Sequence, residues 1–258
     1  MPIRILLCLM FCLSALASPV VAAPEAPFLR FPEPFMWGTA TAAYQVEGGI
    51  SNNWSAAGVD AGQAINHYQR YDEDYAQAQT MGNNAWRMSI EWARIEPEPG
   101  RYDMQAVAHY RKMLQALRRR GLEPMVTLFH FTQPIWFEQK GGFSKEENIQ
   151  DFVRFASFAA AQFKDEVSWW CTLNEPVVHA FKSYDQGAWP PFAKDRNLAL
   201  RVIRNLILAH GRSYRAIHAA DPIAWVGFAK HITLLEPHWP LNPADQLMTS
   251  LQSYLFNE

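Results

Sequence analysis

The stretch Ser168-Trp169-Trp170-Cys171-Thr172-Leu173-Asn174-Glu175-Pro176 sets an amide and a carboxylic acid side by side where an apolar segment runs out. A carboxyl group in such a place can exchange a proton with a bound substrate, and the amide beside it can both donate and accept a hydrogen bond. In an α/β barrel the reacting groups stand at the C-terminal ends of the strands, so a strand ending on Asn174-Glu175 is a candidate for acid/base chemistry. Pro176 stops the ladder by removing its donor. Asn and Glu also end strands as plain turn formers, so these residues alone do not decide the matter.

Three further polar clusters follow apolar segments in the same way. Ala43-Tyr44-Gln45-Val46-Glu47-Gly48 contains Gln45, whose amide suits a pair of sugar hydroxyls but also fits an ordinary loop. Arg87 lies inside an apolar segment with Ser89 and Glu91 close behind, an expensive position unless the guanidinium meets a carboxylate or faces a barrel lumen. A purely structural ion pair is the competing reading. His130 stands in Phe129-His130-Phe131-Thr132-Gln133-Pro134 with no second His or Asp at metal spacing, so it reads as a core histidine or a substrate contact, not a metal ligand. No cofactor is read from the sequence. For Glu175 to act as a general acid near neutral pH its carboxyl needs desolvation, which Trp169, Trp170 and Phe181 are expected to provide.

The elements that must position these groups alternate between short apolar runs and longer amphipathic ones, the βα signature. Strands are expected at about 36–43, 84–90, 123–130, 168–175 and 224–232, each continuous in its apolar character as strands buried on both faces should be. Helices are expected at about 67–81, 103–120, 145–164 and 197–219. In the second of these, Val107, Tyr110, Leu114 and Leu117 fall at spacings of three and four, and Gly121 sits where a C′ glycine would. The fold class is therefore α/β, a TIM (β/α)8 barrel of which about the first five βα units are present. Long βα loops use up the chain, so the barrel is not expected to close within it.

At the N-terminus, Arg4 precedes the apolar run Ile5 to Leu13, and small residues lead to Val21-Ala22-Ala23. This reads as a signal peptide over 1–23 that is cleaved after Ala23, with the barrel domain over 24–258, incomplete at its C-terminal side. An uncleaved anchor is the alternative. The expected location is secreted or periplasmic. Cys8 and Cys12 leave with the leader, so Cys171 has no partner for an internal disulfide. A net charge of −2 and the absence of a basic stripe argue against nucleic acid or an anionic membrane as partner. Arg118-Arg119-Arg120 is more simply a last helical turn complementing its dipole. Ten tryptophans are many, and several lie near strand ends, where indoles could stack on the faces of sugars; most of the aromatics should nevertheless fill the core.

These residues resemble glycoside hydrolase family 1, the β-glucosidase family. Phe31-Pro32-Glu33-Pro34-Phe35-Met36-Trp37-Gly38-Thr39-Ala40-Thr41-Ala42-Ala43-Tyr44-Gln45-Val46-Glu47-Gly48 is similar to the opening signature of that family. His67 to Asp74, Gly82 to Pro97, Pro124 to Phe131, Gly141-Gly142-Phe143 and Thr172-Leu173-Asn174-Glu175-Pro176 follow in the family's order. The resemblance implies a retaining β-glycosidase of the β-glucosidase type, with Glu175 as acid/base and Asn174 on the sugar 2-hydroxyl. It further implies that Gln45 and His130 hold the 3- and 4-hydroxyls, and that Arg87 orients the nucleophilic glutamate. The partner it implies is a β-glycoside or oligosaccharide.

Two departures stand out. Phe131 occupies a place where many members carry tryptophan, which removes an indole donor. The family's nucleophile lies in a Thr-Glu-Asn-Gly segment, and nothing after Glu175 matches it; Glu47, Glu91 and Glu236 read as loop or rim carboxylates instead. A retaining mechanism needs a second carboxylate about 5–5.5 Å from the first, so the isolated chain is expected to turn over poorly. The alternative is a non-catalytic carbohydrate-binding or regulatory protein derived from such an enzyme. A third reading pairs the open edge of strand 5 with another chain.

Overall fold

The computed structural model describes residues 30–257, so the leader expected over 1–23 lies outside the described residues. Contacts divide the chain into Met1–Phe35 and Met36–Glu258. In the first unit the described residues form a turn that brings the Phe31 and Phe35 rings to 4.5 Å.

In the second unit, five strands form one parallel sheet in sequential order: β1 (Gly38–Ala40), β2 (Ala85–Ser89), β3 (Glu123–Phe129), β4 (Trp169–Asn174) and β5 (Trp225–Ala229). The helices that follow each in turn are α1 (His67–Thr80), α2 (Met104–Arg119), α3 (Ile149–Phe163), α4 (Arg196–Ala220) and α5 (Pro243–Asn257). Every expected strand and helix is present, with ends moved by a few residues. The largest change is at β1, expected over 36–43 and observed over three residues, because Ala42 begins a helical turn at Ala43–Val46. Gly38 permits a close approach to β2: a Cβ there would lie 2.7 Å from the Ala85 carbonyl oxygen.

α2 illustrates why the helices form where they do. Asp103 caps its start, accepting from the Gln105 and Ala106 amides at 2.8 and 3.1 Å. Val107, Tyr110, Leu114 and Leu117 are fully buried along one face, and Gly121 adopts φ 72°, the left-handed value its C′ position requires. Arg118 and Arg119 lie in the last turn as expected. The core lies between sheet and helices, where Met88, Val126, Leu128 and Trp170 meet Leu114, Phe155, Val202 and Leu206. Polar side chains on the other face of the sheet include Arg87 and Thr127, joined by a 3.0 Å hydrogen bond.

One expectation fails at β5. It was to be buried on both faces, yet Trp225 is 63% and Phe228 45% exposed. Among the described residues β5 pairs only with β4, so nothing covers its outer edge.

Candidate active site

Four of the expected site residues stand at or just beyond the C-terminal ends of their strands, and Arg87 stands inside β2, reaching the end of β4. Gln45 is exposed in the turn after β1, His130 is half-buried directly after β3, and Asn174 is the buried last residue of β4. Arg87 Nη2 donates to Asn174 Oδ1 at 2.7 Å, and its Nε donates to Thr127 Oγ1 at 3.0 Å. Among the described residues Arg87 forms no ion pair, so the structural alternative of a local carboxylate partner is not what holds it; three neutral acceptors on the two neighbouring strands β3 and β4 do. With Oδ1 occupied, the Asn174 side chain has its NH2 group free to donate toward a ligand.

Glu175 leaves the sheet with φ 44° and ψ 61°, a left-handed conformation that a residue with a Cβ adopts at a cost of roughly 1–2 kcal/mol. Its amide still donates to the Ala229 carbonyl of β5 at 2.8 Å. The strand ends here because the backbone turns; Pro176 then opens the helix Pro176–Ala180 at its first position. Phe131, immediately after His130, is likewise left-handed at φ 72°. Two strained backbones on neighbouring strand ends are what a site that must aim side chains accumulates.

The expected desolvation of Glu175 by Trp169 and Trp170 does not occur. Both stand toward the opposite end of β4, roughly 17–20 Å away at about 3.3 Å per residue, and Trp169 instead stacks on Trp225 at 5.2 Å. Glu175 is half-buried. His130 carries a buried Nδ1 without a protein partner among the described residues; burial, then the nearby Arg87 charge, push its pKa down to about 4. The imidazole is therefore neutral near pH 7, able to donate from one nitrogen and accept at the other.

Sequence reasoning missed the layer beneath these groups. Glu47 is buried, with Tyr110 Oη 2.9 Å from both its oxygens and Arg94 Nε at 3.3 Å. Burial drives its carboxyl up to about 8 against the pull of Arg94. Glu91 is also buried and is raised to about 7, held by Asn52 and Thr132. Glu236 is exposed beyond β5. Aromatic rings form part of the same rim: Trp54 and Phe131 both pack on Trp189, at 5.4 and 4.9 Å, and the Trp54 indole donates to the Phe131 carbonyl at 3.2 Å. His179 packs behind Phe131, its ring 6.3 Å away and parallel, and burial lowers it to about 3. Of this layer only Asn52-x-x-Ser55 carried a sequence signal, a capping-box pattern that the structure forms.

Residues 29–257 match the model of glycosyl hydrolase family 1. The chain belongs to that family. β-Glucosidase A of Thermotoga maritima is 31% identical over 224 residues, which cover 81% of this chain and 50% of that protein. The human cytosolic β-glucosidase is 31% identical over 240 residues, 84% of this chain and 51% of that protein. Among solved structures, a β-glycosidase from Pyrococcus horikoshii superposes with a TM-score of 0.80 at 35% identity, over 89% of this chain and 55% of that one. The family 1 β-glucosidase from Thermotoga maritima gives 0.81 at 29% identity, over 90% and 55%. The chain thus spans about half the length of the relatives it matches, and its five parallel βα units are part of a TIM (β/α)8 barrel.

Proposed function

We propose that this family 1 chain carries the acid/base half of a retaining β-glycosidase site of the β-glucosidase type. Glu175 protonates the departing glycosidic oxygen and later activates water. Asn174 donates to the sugar 2-hydroxyl, a contact that strengthens in the oxocarbenium-like transition state. Gln45 and His130 hold the remaining hydroxyls of the terminal sugar. Arg87, free of any carboxylate among the described residues, is placed to orient the nucleophile. The observation that carries this reading is the Arg87–Asn174 hydrogen bond beside Glu175: it aims an amide donor and leaves a cation ready for a second carboxylate.

The reading assigns no nucleophile to the described residues. Glu47 and Glu91 are committed to buried hydrogen bonds and Glu236 is exposed beyond β5, so none answers the two-carboxylate requirement. The same fact favours a second reading, sugar binding without turnover. Hydrolysis of an aryl β-glucoside by the purified chain, alongside Glu175→Gln, separates the two. Slow release of aglycone that Glu175→Gln abolishes supports acid/base chemistry, and saturable binding without release supports the binding protein. Release that survives Glu175→Gln contradicts the proposed role.

The apolar run after Arg4 supports export, and N-terminal sequencing of exported protein should then begin near Pro24. The open edge of β5, with Trp225 and Phe228 exposed, supports pairing with further polypeptide; sizing of the purified chain tests whether another copy can provide it.

A further inference from the structure

Glu91 lies two residues beyond β2 and is 2% exposed, yet no cation pairs with it among the described residues. Its backbone is pinned from one side, the amide donating to Tyr110 Oη of α2 at 3.0 Å. Its carboxylate reaches the other way, to two different loops. Asn52 Nδ2 of the loop after β1 donates to Oε1 at 3.2 Å, and Thr132 Oγ1 of the loop after β3 donates to Oε2 at 2.9 Å.

Both contacts lead directly to the rim. Asn52 Oδ1 accepts from the Trp54 and Ser55 amides at 2.9 and 3.1 Å, which fixes the short helix Asn53–Ala56. Thr132 is next to Phe131, whose carbonyl takes the Trp54 indole proton, and Gln133 exchanges hydrogen bonds with Asn53 at 2.9 and 3.0 Å. The two loops are therefore joined to each other, and Glu91 joins the pair to the end of the strand that carries Arg87.

We propose that Glu91 is a positioning residue for the sugar site, a clamp that sets where the loops bearing Gln45 and His130 stand relative to Arg87 and Asn174. This rests on the reading of that rim as a glycoside site. The ionisable groups facing Glu91 are Tyr44 and Glu47 in the first loop, Arg94 in its own helix, and Tyr110. A buried carboxylate with no ion-pair partner costs stability that an apolar residue of similar volume would not. Its two oxygens instead hold two loops in place.

The clamp needs hydrogen bonds, not charge. A glutamine keeps it, since Oε1 accepts from Asn52 and Nε2 can donate to the Thr132 hydroxyl. A leucine fills the space and breaks it. Glu91→Gln, Glu91→Leu and Thr132→Val, the last attacking the same contact from the other loop, are each titrated with an aryl β-glucoside. Hydrogen exchange is followed at the Trp54, Ser55 and Gln133 amides. Glu91→Leu should remain folded while its affinity falls roughly tenfold and those amides exchange faster. Thr132→Val should move both readouts in the same direction, and Glu91→Gln should keep both near wild type.

The proposal is overturned if Glu91→Leu and Thr132→Val leave the exchange unchanged, or if glutamine behaves as leucine does. If no form binds the glucoside but exchange responds as described, the clamp stands and the glycoside reading of the rim falls. If binding is present and unaffected by leucine, the rim is a sugar site that Glu91 does not position.

Discussion

Arg87 Nη2 lies 2.7 Å from Asn174 Oδ1, so a guanidinium on β2 decides which way an amide on β4 points. The amide of an asparagine is nearly symmetric in shape and opposite in function at its two ends. A cation that takes the oxygen commits the nitrogen to donating. Asn174 thereby presents a donor beside Glu175.

Replacing Arg87 by lysine keeps a charge and loses the fork that engages Thr127 and Asn174 together. Affinity for a β-glucoside, measured by titration, should fall roughly tenfold in Arg87→Lys as one to two hydrogen bonds are lost. Equal affinity in the variant would show that Asn174 is oriented without Arg87.

Stability should fall as pH rises from about 4.5 to about 8. Glu47 and Glu91 are raised above their ordinary values, to about 8 and about 7, so the folded state favours their protonated forms. Their contribution is complete below pH 4.5 and is lost as pH rises through 7 and then 8. For Glu91 the loss is on the order of 3 kcal/mol at most. Urea midpoints at rising pH should decline in the wild type and decline less in Glu91→Gln.

On the acid side the histidines act in the opposite sense. His130 and His179 are lowered to about 4 and about 3, so their contribution is present above pH 6.5 and is lost as pH falls toward those values. His179→Phe should flatten the acid limb of the same urea series, because the ring is buried among Phe129, Phe131 and Tyr184 and carries no protein hydrogen bond among the described residues.

Glu175 should be a residue whose removal stabilises the fold. Its φ of 44° is strained for any side chain with a Cβ, and glycine relieves that strain. Glu175→Gly is expected to raise unfolding free energy by about 1 kcal/mol in urea while removing acid/base function. A destabilised Glu175→Gly would mean that the side chain is held by packing.

The order of strands and helices was legible because short continuous apolar runs alternate with amphipathic runs of fourteen or more residues that carry a helical period. The rim was not. Helices such as Asn53–Ala56 and Trp92–Ile95 span four residues, too few to show one. The ties from Glu91 to Asn52 and Thr132 cross 39 and 41 residues, and no local spacing announces them. Trp169 and Trp170 misled for a geometric reason, since residues close in sequence to Glu175 lie far from it along an extended strand. β5 read as buried because its residues are apolar, and it is exposed because burial depends on a neighbour that the segment itself cannot supply.

On the proposed function, Gln45, His130 and Asn174 beside Glu175 form a sugar site. Calorimetric titration of the purified chain with an aryl β-glucoside, repeated for Asn174→Ala and Gln45→Ala, tests it most directly. Saturable binding in the wild type that weakens by roughly tenfold in each variant is the predicted result. Absence of saturable binding, or binding that neither substitution changes, would contradict it.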